Sequence, residues 1–203
     1  MKMIVLASTS PYRKQLLEKL GLPFIIGSPN IDESPIPGER PDALVRRLSA
    51  QKALAIAAAY PDHLIIGSDQ VAYSDSLGIL TKPGSHERAA EQLKNCSNQT
   101  IKFYTGLCLL DTRNGTKLTE VDLFEVTFRQ LSDKIIDSYL ETEKPYDCAG
   151  SFKSEGLGIV LFRRFSGRDP NSLVGLPLMT LTDMLIEKGI HPLLWQHDHR
   201  SDS

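Results

Sequence analysis

Residues Met3-Ile4-Val5-Leu6-Ala7 form an unbroken apolar run, and Ser8-Thr9-Ser10-Pro11-Tyr12-Arg13 follows it with no spacer. That junction predicts a first strand handed directly to a first helix, because Ser10 is a good N-cap and Pro11 suits the first helical position. Arg13 then falls in the first turn, where its side chain leans back toward the helix start. The helix macrodipole disfavours a cation there by about 0.3–1 kcal/mol, yet Arg13 and Lys14 both occupy that turn. A bound anion would reverse the sign, since unpaired backbone N–H groups lie at the same end. A capped helix whose arginine merely reaches solvent accounts for these residues equally well.

Through the first half of the chain, apolar runs of strand character alternate with helical periodicity, and β-rich segments follow. The pattern predicts an α/β protein with a mixed, twisted sheet flanked by helices. Strands are expected at 3–7, 23–27, 63–68, 71–74, 102–111, 117–130 and 158–165, and helices at 11–20, 42–59, 85–95, 132–143 and 177–188. Asn114-Gly115 between two long strand-like runs is a hairpin signal and predicts a long antiparallel ribbon. Residues 28–41 carry Pro29, Pro35, Pro37 and Pro41 among acidic and polar residues, which marks a loop of a length that is often functional. With 203 residues and 41% hydrophobic content, the chain can bury a sizeable core. One domain is expected over 1–190, followed by a polar tail over 191–203 whose His197 and His199 fit a frayed terminus better than a metal site.

The formal charge is −2, from 23 basic and 25 acidic residues. Such a balance gives no footprint for a nucleic-acid polymer or an anionic membrane, so any phosphate binding must be local and the partner a small molecule. The run 3–7 is too short for a secretory segment, and no apolar stretch approaches the roughly eighteen residues of a membrane span, so a cytoplasmic protein is expected. Cys96, Cys108 and Cys148 are odd in number and lack a CxxC pair, which supports neither a disulfide framework nor a zinc site. GxxxxGK[ST], GxGxxG in a strand-to-helix setting and GxSxG are all missing, which argues against P-loop, dehydrogenase and acyl-transfer chemistry.

Leu64-Ile65-Ile66-Gly67-Ser68-Asp69-Gln70 drives an apolar strand into a carboxylate at what should be the strand exit, where open α/β sheets gather ligands. Asp69 is therefore the foremost catalytic candidate, against the alternative of a turn aspartate satisfying local donors. Gly67-Ser68 before it suggests close approach by another group. Lys52 falls within the apolar stripe of Val45, Leu48, Ile56 and Ala59. An inward-facing ammonium needs a partner, and the other option is to snorkel past the helix edge. Lys82 and Lys153 are further cations in short polar stretches. Asp32, Glu33, Asp69 and Glu155 could supply oxygen ligands to magnesium, which takes one or two carboxylates plus substrate phosphate oxygens, although their sequence spacing does not test this.

Together, Ala7-Ser8-Thr9-Ser10-Pro11-Tyr12-Arg13, Asp32-Glu33, Lys52, Gly67-Ser68-Asp69-Gln70, Thr81-Lys82-Pro83, Ala149-Gly150-Ser151-Phe152-Lys153-Ser154-Glu155-Gly156 and Asn171-Ser172-Leu173-Val174-Gly175-Leu176-Pro177 resemble the Maf-like nucleotide pyrophosphatases, in order from Leu6 to about Leu185. The resemblance implies a fold like that of Maf and the inosine triphosphatases. It implies a hydrolase dependent on a divalent cation, magnesium or manganese, that cleaves a nucleoside triphosphate between the α and β phosphates. By motif position Asp69 is the proton acceptor, with Glu33 and Lys52 beside it and Glu33 and Asp69 as the metal carboxylates. Ser8, Ser10, Arg13, Lys82 and Lys153 would hold phosphate oxygens. Family members commonly pair as homodimers.

Tyr12, Gln70 and Glu155 resemble the YceF-type subgroup, associated with 7-methyl-GTP, whereas the dTTP/UTP subgroup tends to carry arginine, threonine and glutamine there. N7-methylation places a positive charge on the purine, so an aromatic face can add a cation–π contact of roughly 0.5–2 kcal/mol. At about 1.4 kcal/mol per decade, that is a few-fold to about thirtyfold preference. The subgroup often has tryptophan where this chain has Tyr12, a weaker π donor. The alternatives are hydrolysis of dTTP, UTP or another modified triphosphate, and a nucleotide-sensing cell-division regulatory protein without meaningful turnover.

Overall fold

The computed structural model describes residues 3–195 of the chain. In chain order its elements are β1 (Ile4–Ala7), α1 (Pro11–Glu18), β2 (Phe24–Gly27), α2 (Pro41–Ala55), β3 (Leu64–Ser74), β4 (Gly78–Leu80), α3 (His86–Cys96), β5 (Thr100–Asp111), β6 (Thr116–Phe128), α4 (Asp133–Glu143), β7 (Phe162–Gly167) and α5 (Leu178–Glu187). Short 3-10 turns occupy Ala57–Ala59, Ala149–Ser151, Leu157–Leu161 and Pro170–Val174. The strands form one mixed sheet of order β2-β1-β3-β5-β6-β7, with β4 paired to β3. By contacts the chain divides into two compact units, one of residues up to Gln70, Thr105–Asp122 and the stretch from Gly175 onward, the other of Val71–Tyr104 and Leu123–Val174.

In the first unit, all four residues of β1 are buried, and β1 pairs in parallel with both β2 and β3, Ala7 lying opposite Gly27 and Gly67. Strands buried in this way require helices as cover. α2 supplies part of that cover: its Ala50 and Ala53, with Ile56 just beyond its end, share a core cluster with Val5, Ala7 and Ile65. Its backbone lies directly against two strand glycines: a Cβ on Gly67 would sit 2.1 Å from the Ser49 carbonyl oxygen, and one on Gly106 would sit 2.1 Å from that of Val45. The close approach suggested by Gly67-Ser68 is therefore made by a helix backbone.

The second unit packs α3 and α4 around an aromatic core in which Phe162 lies 4.8 Å from Phe128 and 4.7 Å from Phe152, ring centre to ring centre, both edge to face. Such pairs add about 0.5–1.5 kcal/mol to the burial of the rings. Ser85 and Ser132 cap the two helices through their hydroxyls.

The expected α/β class and the ribbon are present: Gly115, at φ +71°, donates its N–H to Asp111 O across the turn between β5 and β6, and Asn114 Oδ1 accepts from Thr116 N. Three local readings change. The strands expected at 63–68 and 71–74 are one strand, β3, so Asp69 and Gln70 lie inside it rather than at its exit. They do not break it because the Asp69 side chain finds Lys52 and that of Gln70 finds Thr105. The strand expected at 158–165 begins only at Phe162, since Leu157–Leu161 forms a 3-10 turn in which Gly158 lies against the backbone of Lys153. The helix expected to 59 ends at Ala55 and gives way to a 3-10 turn. Of the expected tail, residues 192–195 are helical, with Trp195 N donating to His191 O, while His197 and His199 lie outside the described residues. No helix among the described residues is long and apolar enough to cross a membrane.

Candidate active site

The first unit holds a chain of bonds that starts at the cap of α1. Ser8 Oγ is buried and accepts from Ser10 N at 3.1 Å, and Ser10 Oγ accepts from Arg13 N at 3.4 Å. Arg13 does lean back over the helix start, but not into open solvent. Its Nε donates to Gly175 O at 2.9 Å and its Nη1 to Ser8 Oγ at 3.5 Å. The fully buried Ser68 hydroxyl bonds the same Gly175 oxygen and that of Gly106, each at 2.9 Å. Ser68 and Gly175 are thus support residues that sequence reasoning did not assign. The stretch containing Gly175 stands out in the sequence, but nothing there marks its carbonyl as the arginine's anchor.

Lys52 points inward from α2 and is 5% exposed. Its Nζ lies 2.7 Å from Asp69 Oδ1 and 3.0 Å from Glu33 Oε2, so it bridges a buried strand carboxylate and an exposed loop carboxylate. Snorkelling is ruled out by that geometry. Burial raises the Asp69 carboxyl above its ordinary range; Lys52 and Arg13 pull it back down, and Glu33 adds to the rise. For Arg13 the signs are inverted: desolvation lowers its pKa, and the fields of Asp69 and Glu33 raise it. Two carboxylates, an ammonium and a guanidinium therefore act on one another within this unit. Such a set can accept a proton at a carboxylate and neutralise an anion at the cations.

Tyr12 is half-buried on the first turn of α1, between the capping Ser10 and Arg13. Gln70 is fixed by Nε2 donating to Thr105 Oγ1 at 3.0 Å. Asp32 is not drawn to Lys52 with its neighbour Glu33: its Oδ1 accepts from Ser34 N at 2.9 Å, closing a small turn across Glu33. In the second unit, Lys82 is exposed between β4 and α3. Lys153 is held there by its own N–H donating to Tyr139 Oη at 3.0 Å and by Nζ donating to Glu143 O at 3.4 Å. Glu155 is exposed and accepts from Ser154 Oγ at 3.2 Å.

Among the described residues, no three or more His, Cys, Asp or Glu side chains gather as a metal cage. Two hard carboxylates do meet, at Lys52. That donor set fits a cation such as magnesium, which takes one or two protein carboxylates and completes its shell with phosphate and water oxygens.

A family model described as Maf-like protein matches residues 3–188. The 7-methyl-GTP pyrophosphatase of Nitrosococcus oceani is 55% identical over 191 residues, covering 94% of this chain and 95% of that protein.

Proposed function

The chain belongs to the Maf-like family, and on that premise we propose that it hydrolyses 7-methyl-GTP to 7-methyl-GMP and pyrophosphate. The observation that carries the chemistry is the Lys52 ammonium set between Asp69 and Glu33. Lys52 holds Asp69 Oδ1, so Oδ2 is assigned the proton of the attacking water. The water oxygen bonds to the α phosphorus, the bond to the α–β bridging oxygen breaks, and its electron pair leaves on pyrophosphate. Arg13, locked through Nε to Gly175 O, presents its terminal nitrogens to phosphate oxygens without having to be ordered at the moment of binding. Ser8 and Ser10 fix that arrangement at the helix start.

Glu33 and Asp69 would hold the divalent cation, magnesium or manganese, which when bound supplies Lewis acidity and neutralises phosphate charge. Tyr12 and Gln70 are assigned to the base. Lys82 and Lys153 for phosphate, and Glu155 for the methylated base edge, follow from motif position. A homodimeric state rests on the family resemblance, and a cytoplasmic location on the reading of the sequence's apolar stretches.

Pyrophosphate release from 7-methyl-GTP, GTP, dTTP and UTP, each with and without a chelator, tests the reading. The expected result is a preference for 7-methyl-GTP over GTP of a few-fold to about thirtyfold and loss of turnover with the chelator. Equal rates on 7-methyl-GTP and GTP would remove the methyl-selective claim, and tight binding without turnover would favour a sensor. The combined swap Tyr12→Arg, Gln70→Thr and Glu155→Gln should move preference toward dTTP and UTP; an unchanged profile would refute the base assignment.

A further inference from the structure

Glu33 belongs to a stretch without regular secondary structure, between β2 and α2, and its side chain is 56% exposed, yet its carboxylate sits 3.0 Å from Lys52. Lys52 is buried, but with the Glu33 side of the pair open to solvent the contact does not by itself fix the loop backbone around Glu33. A second contact ties the stretch to the helix. Arg47 lies on α2, about one and a third turns ahead of Lys52. Its Nε donates to Glu39 Oε1 and its Nη2 to Glu39 Oε2, both at 2.7 Å. Nη2 also reaches Ser34 O at 3.1 Å, and Nη1 donates to Gln51 Oε1 at 3.0 Å, so all three guanidinium nitrogens are engaged.

Glu39 also closes the loop on itself, with Oε2 accepting from Ile36 N at 3.1 Å and its own N–H donating to Ile36 O at 2.9 Å. Ser34, whose carbonyl Arg47 holds, is the residue after Glu33, and its N–H is bound by Asp32, the residue before. Glu33 is thus fixed on both sides, and the fixed turn is fastened to the helix that carries Lys52. We propose that Arg47, clamped to Glu39, is a positioning residue that holds the Glu33 carboxylate at Lys52 and Asp69 for the hydrolytic reaction. The Arg47 hydrogen bond is the main cause holding the Glu39 carboxyl down at about 2, against an ordinary 4.5. A depressed acid keeps its contribution above its ordinary value and loses it only as pH falls toward the depressed one, so the clamp stays ionised at neutral pH.

The role rests on the nucleotide pyrophosphatase reading, so the test has one measurement that needs no turnover. In the full-length chain, Arg47→Met should speed backbone hydrogen exchange over residues 28–40 and lower kcat about 10- to 100-fold, with a smaller change in KM. Arg47→Lys, which cannot make the bidentate contact, should recover little, and Glu39→Gln should reproduce the effect if Arg47→Met folds poorly. The defining result is non-additivity: Arg47→Met placed on Glu33→Gln should cost no further kcat. Unchanged exchange, or losses that multiply across the double variant, would overturn the proposal. If the wild type hydrolyses no nucleotide, the activity reading fails, and the exchange experiment still decides whether Arg47 holds the loop.

Discussion

The two units hold their polar residues in different ways. In the first, Lys52 and Asp69 are each 5% exposed and bonded to each other, and Arg13 is tied to a carbonyl contributed from far along the chain. In the second, Lys82 and Glu155 are exposed on loops, Glu155 bonded to the adjacent Ser154, while Lys153 is fastened to Tyr139 and Glu143. Charges removed from water must have partners that fix their direction, whereas exposed charges remain free to follow a ligand. The first unit therefore commits stability to the geometry of these charges, and the second does not for Lys82 and Glu155.

The largest expected effect comes from breaking the first arrangement at its centre. Asp69→Asn should lower kcat about 10²- to 10⁴-fold while calorimetry still detects nucleotide binding, because the amide keeps the shape but cannot accept the proton. Undiminished turnover would assign the base elsewhere and leave Asp69 a structural partner of Lys52.

Next in size is a paired comparison. Lys52→Met leaves a buried carboxylate without its ammonium, and denaturant melts should show a loss of about 3–5 kcal/mol. Lys82→Met should stay within about 0.5 kcal/mol of wild type in the same melts, while both lower kcat/KM. Equal stability losses would erase the contrast between the units.

The smallest effect sharpens the electrostatics. The active Asp69 is the deprotonated one, and burial raises its pKa, so the acid limb of the kcat/KM profile should lie above the ordinary 3.8. Glu33→Gln removes a charge that adds to the rise and should move that limb to lower pH. Lys52→Met removes one that opposes it and should move the limb to higher pH. In stability the sign is the usual one for a raised acid: the folded chain binds the proton more tightly than the unfolded chain, so the contribution is present at low pH and lost as pH rises through the folded value.

Much of this was legible in the sequence because the signals are local. Ser10 and Pro11 announce a cap, Asn114-Gly115 a turn, and Lys52 an interruption in an apolar stripe. What stayed hidden depends on distant partners. The continuation of β3 through Asp69 and Gln70 requires a lysine 17 residues away and a threonine 35 residues away. The anchor of Arg13 is a backbone oxygen 162 residues along the chain, and a carbonyl carries no residue-type signal at all. The 3-10 turn at Leu157–Leu161 shows the other limit, since a short apolar run does not distinguish a strand from a tight helical turn.

Gly67 has a further consequence for the charges it never touches. It stands two residues before Asp69 in β3, so both face the same side of the sheet, and the missing methyl of one sets how deep the backbone of α2 can settle over the carboxylate of the other. Ser49, whose carbonyl occupies that space, is one helical turn from Lys52. The glycine acts as a spacer gauge. A single added carbon would lift the helix and lengthen the ammonium–carboxylate contact, altering the electrostatics of the site with no change in its charges.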